Sequence, residues 1–307
     1  MHPAFSVIFF TVSSGAGFGL FALLILAELF QFGGALNSRA VLAPGILAFL
    51  LIAFGFLSSV FHLANPKNSW RAVARFRTSW LSREGLFGLL FFPFAFSYLV
   101  ATWLLPDWVM IRHILGISAL LLAWAALFST GMIYACLKTI RQWNTPLTPA
   151  NYMALGHFSG ALLLLTLTPP GQQGMLPFLT GALLIVAALT KAIYYFWIYA
   201  PHISPTINTA TGFNRARVKI LDPGHTHGTF LTQEFGFQVA RKYRLILKAF
   251  VFIAAFVYPM IVLLNTPSQI SLGLAALSAL LGMIAERWLF FAEARHVVNL
   301  YHGTQRC

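Results

Sequence analysis

The chain has 307 residues, of which 59% are hydrophobic and only 9% charged, against roughly 25% charged in soluble domains. Twenty Lys+Arg and seven Asp+Glu cannot clothe a water-facing surface of ordinary polarity, so a soluble enzyme is excluded. The net charge of +13 sits in short basic blocks between apolar runs, a pattern that encodes membrane orientation and not nucleic-acid binding.

About 20 apolar residues span a bilayer as a helix, because every backbone polar group is then satisfied within the segment. Eight such runs predict an all-α integral membrane protein: about 5–31, 41–64, 84–105, 110–137, 152–169, 177–199, 245–265 and 269–295. Eight helices in one polytopic domain are expected to form two four-helix bundles. The first run follows Met1-His2-Pro3 directly, has no basic n-region and is too long for an h-region, so a cleavable signal peptide is not expected. Its Ser13 to Gly19 stretch has the glycines of a nucleotide loop but no preceding strand. Gly15 and Gly19 instead share one helix face and permit a close helix approach.

The connections sort the charge. The even loops and the C-terminal end hold Lys67, Arg71, Arg75, Arg77, Arg83, Lys138, Arg141, Arg215, Arg217, Lys219, Arg241, Lys242, Arg244, Arg295 and Arg306, whereas the odd loops hold only Arg39 and Arg112. Fifteen against two predicts both termini and all even loops on the cytoplasmic side. The longest polar stretch, 200–244, is too long for a tight connection and is a candidate docking loop. Cys136 and Cys307 form no CxxC pair, so no Cys-ligated cluster or Cys-rich zinc site is expected in this chain.

Ionisable residues inside spans are default functional candidates. By the expected topology His62 closes helix 2, Glu84 opens helix 3, and His157, Lys191, Glu286, Arg287, Glu293 and His296 lie in the same half of the membrane. Glu28, Asp107, Arg112 and His113 lie in the other. The plain alternative is that Glu286 and Arg287 pair with neighbours and that Lys191 snorkels. His62 and Glu84 bracket the most basic and aromatic loop, which includes Trp70, Arg71, Arg75, Phe76, Arg77, Trp80 and Arg83. A helix-end histidine and a half-dry carboxylate both exchange protons near neutral pH, as protonation of a reduced quinone's oxygens requires. The alternative is an interfacial His and a first-turn Glu favoured by the helix dipole. His62, His157 and His296 share a depth at which two histidines on facing helices would ligate a b-type haem, although no pair is fixed by spacing and haem is not the favoured reading. His225 and His227 form a His-x-His pair with no third ligand nearby.

Four strings carry a resemblance to a known family. They are Met1 to Thr11 with Ser14-Gly15-Ala16-Gly17, Phe76-Arg77-Thr78-Ser79-Trp80-Leu81-Ser82-Arg83-Glu84-Gly85, Tyr134 to Lys138 with Trp143, and His227 to Phe235. Over nearly its whole length the chain resembles the membrane-anchor subunits of the dimethyl sulfoxide reductase anchor family (DmsC-like), on the branch serving quinone-linked sulfite dehydrogenases. That resemblance implies a multi-pass protein of the bacterial inner membrane. It would anchor a molybdopterin catalytic subunit and a ferredoxin-like subunit with four [4Fe-4S] clusters, and pass electrons to ubiquinone or menaquinone. The family's quinone-site His and Glu match His62 and Glu84, with Trp80, Arg83, Lys191, Glu286 and Arg287 as candidate support and Trp70, Arg71, Arg75 and Arg77 as the docking face. The family commonly has Gly after His-Leu, where this chain has Ala64. The rival readings are a quinol-oxidising terminal reductase anchor, a b-haem anchor and a transporter. Inverted repeats and broken helices, which mark transporters, are not evident in the sequence.

Overall fold

The computed structural model describes residues 4–32, 38–61, 66–200, 205–213, 215–222, 239–265 and 267–302. Eight helices in it are long and apolar enough to cross a membrane. They are α1 (Phe5–Phe30), α2 (Ser38–Val60), α3 (Trp80–Leu104), α4 (Val109–Ala135), α5 (Leu147–Leu167), α6 (Leu176–Tyr199), α7 and α8 (Gln269–Ala292). Helix α7 runs as Val239–Phe252, then a π turn Ile253–Val257, then Tyr258–Leu264. No β-strand occurs among the described residues, where a single bridge joins Ile140 to His296.

Local chemistry explains where the helices depart from the expected spans. Helix α3 starts at Trp80, four residues before the apolar run, because Ser79 caps it by accepting a hydrogen bond from the Ser82 amide. Glu84 therefore lies inside the helix instead of opening it. Helix α5 starts at Leu147, since Pro149 is tolerated in a first turn where no amide partner is needed. The π turn in α7 precedes Pro259, which has no N–H to offer the Ala254 carbonyl. Ser278 of α8 donates to that carbonyl at 2.9 Å and ties the two helices together at the defect.

Helices α1–α4 close one four-helix bundle and α5–α8 a second, and the two lie side by side through α1 and α5. Large hydrophobics on the outer faces of the other helices stay exposed, among them Phe54, Phe96, Ile117, Phe178, Phe196 and Leu277, as a lipid-facing surface demands. Helix α1 differs: from Ile8 to Ala27 it is buried almost all round. Its glycine face meets the glycine face of α5. A Cβ on Gly19 would fall on the Gly156 carbonyl, one on Gly160 would fall on the backbone of Gly19 and Leu20, and one on Gly156 would come within 3.0 Å of the Gly15 carbonyl. Both helices advance in the same direction along this contact.

At the far end of the first bundle, Glu28 of α1 pairs with Arg112 of α4 and accepts a hydrogen bond from Tyr98 of α3 at 2.5 Å. Arg112 also donates to the Pro106 carbonyl at 2.9 Å, closing the α3–α4 turn over the pair.

Leucine at Gly156 or Gly160 is expected to cost about 2–3 kcal/mol or more by overpacking. Thermal melting of the detergent-purified protein should show the loss, with Gly181→Leu, which faces open space, close to wild type. Replacing Arg112 by Met should destabilise by about 3 kcal/mol, since the mostly buried Glu28 loses its charge partner. Adding Glu28→Gln should restore most of the melting temperature.

Candidate functional site

The first turn of α3 is held by Arg83. Its Nε donates to the Phe76 carbonyl at 3.0 Å and its Nη2 to the Arg77 carbonyl at 2.8 Å, while its guanidinium lies 4.2 Å from the Trp80 ring centroid. One side chain thereby fastens the preceding loop onto the helix. The aromatic rings around this turn pack edge to face, Phe76 on Phe87 at 5.7 Å and Trp80 on Phe128 at 5.9 Å.

Behind Trp80 and Arg83, Glu84 points into the bundle and is 3% exposed. Its Oε1 accepts a 2.5 Å hydrogen bond from Thr130 Oγ1 of α4, and its other oxygen has no hydrogen bond among the described residues. A buried carboxylate half supplied with donors is ready to take a proton or a hydrogen-bond donor from a ligand. His62 lies outside the described residues, as do His225 and His227.

Thr130 and Tyr134 stand one turn apart on α4, and from Tyr134 a second polar cluster begins. The Tyr134 ring stacks on Tyr152 of α5 at 5.8 Å, and Arg287 of α8 sits 3.9 Å over the Tyr152 ring. Arg287 Nε lies 2.6 Å from Glu286 Oε2, and the other oxygen of Glu286 pairs with Lys191 of α6. Lys191 and Glu286 are each 1% exposed, so Lys191 does not snorkel. Its ammonium lies over the rings of Tyr194 and Tyr195, at 4.2 and 4.7 Å. Nearer the helix ends, Lys248 of α7 pairs with Glu293 at 3.0 Å and donates to Tyr199 Oη at 2.7 Å, and Tyr199 donates to Glu293 at 2.5 Å. Lys191, Glu286 and Arg287 thus stand together, and the stacked rings of Tyr152 and Tyr134 lie between Arg287 and the turn of α4 that carries Thr130.

The histidines considered for haem are placed differently. In His157, Nδ1 donates to the Met153 carbonyl at 2.7 Å and Nε2 accepts from Trp124 Nε1 at 2.8 Å. Both ring nitrogens are committed, and iron ligation would require breaking a bond to the bundle. His296 lies beyond α8, its Nδ1 accepting from the Val298 amide at 3.0 Å, and partial burial lowers its pKa and favours the neutral ring. Among the described residues no three His, Cys, Asp or Glu side chains gather as a metal site.

The loop expected to dock a partner forms a 3₁₀ segment, Pro66–Arg75. Arg71, Arg75 and Arg77 are exposed, and Trp70 is 69% exposed with Arg71 stacked 5.6 Å from its ring. Thr130, Tyr134 and Tyr152 were missed in the sequence. A lone threonine in an apolar run reads as packing, and tyrosines near helix ends read as an interfacial belt.

The model of the family described as DMSO reductase anchor subunit (DmsC) matches residues 1–292. A sulfite dehydrogenase subunit from Allochromatium vinosum is 33% identical across 98% of this chain and 99% of its own length. With the eight apolar helices, these matches identify a multi-pass membrane protein and make the chain a member of the DMSO reductase anchor subunit (DmsC) family.

Proposed function

We propose that this chain is the quinone-reactive anchor of a sulfite-oxidising molybdoenzyme complex, taking electrons from a partner's iron–sulfur clusters and reducing membrane quinone beside Glu84 and His62. The observation that carries the reading is the buried Glu84 carboxylate, set directly beneath an aromatic collar and an exposed basic loop. Family membership supports the anchor role, and the name of the Allochromatium protein supports sulfite as the substrate of the catalytic partner.

The chemistry sets what the site must supply. Reducing a quinone to a quinol takes two electrons and two protons, and each proton ends on one ring oxygen. Trp80, Phe87 and Phe128 offer ring faces and edges for a flat apolar head group, and the lipid-facing flank of α3 lets its tail remain in the bilayer. Glu84, with Thr130 occupying one oxygen, gives a proton to one ring oxygen, and His62 serves the other. Arg83 contributes by holding the loop and Trp80 in place, so its role is positional.

The basic 3₁₀ segment is the proposed seat of the ferredoxin-like subunit, which in turn carries the molybdopterin subunit. Exposed Arg71, Arg75 and Arg77 favour an acidic partner face, and Trp70 supplies the apolar anchor that such interfaces concentrate. The positive-inside count supports a cytoplasmic position for this face, at a bacterial inner membrane. Electron delivery and quinone then share one side of the membrane.

In the purified complex, Glu84→Gln or His62→Ala should lower quinone reduction at least tenfold while dye-linked sulfite oxidation stays within twofold of wild type. Unchanged quinone kinetics would remove the assignment. Charge reversal of Arg71, Arg75 and Arg77 together should release the soluble subunits from membranes, scored by sedimentation, and a complex that still pellets would count against docking there.

A further inference from the structure

Buried polar atoms without partners mark where a protein's polar chemistry is incomplete. Most such groups in folded proteins are satisfied by protein or by ordered water, so each exception asks for a cause. Here several exceptions share one string of residues. Tyr152 Oη, Arg287 Nη1, Tyr195 Oη and Glu293 Oε2 are all buried without a hydrogen bond among the described residues.

The space beside the first two has room for a ligand. A cavity of about 20 Å³ lies among α1, α5 and α8, lined by Thr11, Gly15, Tyr152, Gly156, Ser159 and Arg287. One water needs roughly 10–15 Å³ of such volume and two to four polar partners. Gly15 and Gly156 line this space, and a Cβ on Gly156 would crowd Leu127 and the Gly15 carbonyl. The Tyr195 ring lies between two lysines, the Lys191 ammonium 4.7 Å and the Lys248 ammonium 4.3 Å from its centroid.

We propose that ordered water in this cavity, bound by Tyr152 and Arg287, completes a proton relay from the Tyr199–Lys248–Glu293 cluster at the membrane surface, through Lys191 and Glu286, to Glu84. The relay rests on the proposed quinone site, which it supplies. Tyr199 is exposed at its outer edge, and Glu293 and Lys248 are nearly buried, so the cluster can exchange protons with water. The Lys191–Glu286 pair holds one exchangeable proton deep in the second bundle. Arg287 keeps its charge throughout; it orients Glu286 and the water, and the proton passes through the water and the Tyr152 hydroxyl. Tyr134, its ring stacked on Tyr152 and one turn from the Thr130 that bonds Glu84, has the hydroxyl the relay would use for the last step. Each quinone reduced consumes two protons; the relay returns to Glu84 the one it gave up. A purely structural network would need the ion pairs but would have no use for the tyrosine hydroxyls.

The test uses the purified complex with a short-chain quinone and measures single-turnover quinone reduction in H₂O and D₂O. Tyr152→Phe keeps the ring and removes one oxygen. It should slow turnover at least tenfold and raise the solvent isotope effect, with KM for quinone, melting temperature and dye-linked sulfite oxidation unchanged. Tyr195→Phe should act alike. Maps of the wild-type complex at a resolution that reveals water should show a peak between Tyr152 Oη and Arg287 Nη1. Wild-type rates and isotope effects in Tyr152→Phe and Tyr195→Phe, or a dry cavity, would overturn the relay. A complex in which Glu84→Gln also runs at full rate would instead overturn the quinone site beneath it.

Discussion

Everything in this molecule hangs on the contact between two backbones. Lipid tails are as apolar as leucine, so helices in a membrane gain little by merely hiding hydrophobic surface, and van der Waals fit at close range must hold them. The Gly15–Gly19 face of α1 against the Gly156–Gly160 face of α5 gives that fit, with the backbones so close that a Cβ on Gly19 or Gly160 would fall on the facing helix's backbone. Because α1 is also enclosed by α2 and α4, it serves as the shared wall of both bundles. The polar groups that matter for chemistry stand on the helices around this wall, and their separations are set by it.

The buried charges follow from the same constraint. An unpaired ion in hydrocarbon is expensive, and Glu28 with Arg112 and Glu286 with Lys191 are paired across helices, while Arg287 pairs with its own neighbour Glu286 on α8; Glu84, held among the described residues only by Thr130, stands apart from these pairs. The two sets lie at opposite ends of the two bundles. The first closes the far end of α1, α3 and α4, and the second ties α6 to α8 at the end where α3 begins. Such pairs add little net stability over apolar substitutes, yet they fix the register of helices that would otherwise slide.

The spans and the packing role of the α1 glycines were legible because each depends on local sequence alone. Hydropathy fixes length, Lys and Arg mark loops, and a four-residue glycine spacing marks a face. The receiving face on α5 was not read, since Gly156 and Gly160 become a partner only once α1 is laid against them. Glu84 was singled out by its loop and by resemblance, but its depth came from Ser79 starting α3 a turn early. Thr130, Tyr134 and Tyr152 form a site only through the meeting of three helices, and nothing in their spacing announces it. Lys191 shows the limit most plainly: the same residue near a helix end reads as snorkelling or as paired, and Glu286, 95 positions away, decides between them.

The glycine seam has an electrical consequence. It lies about 15 Å along each helix, near the middle of a bilayer core some 30 Å thick. The cavity lined by Gly15 and Gly156 lies at the near end of this seam; past it, at Gly19 and Gly160, backbone is pressed on backbone and the gap between α1 and α5 closes to water. Under the proposed function, electrons and protons would then enter from the same side and meet on the quinone without crossing this barrier. Such a reaction moves no net charge through the membrane. The free energy of oxidation would leave the protein as a reduced, lipid-soluble carrier, and any voltage would have to be generated by whichever enzyme next oxidises it.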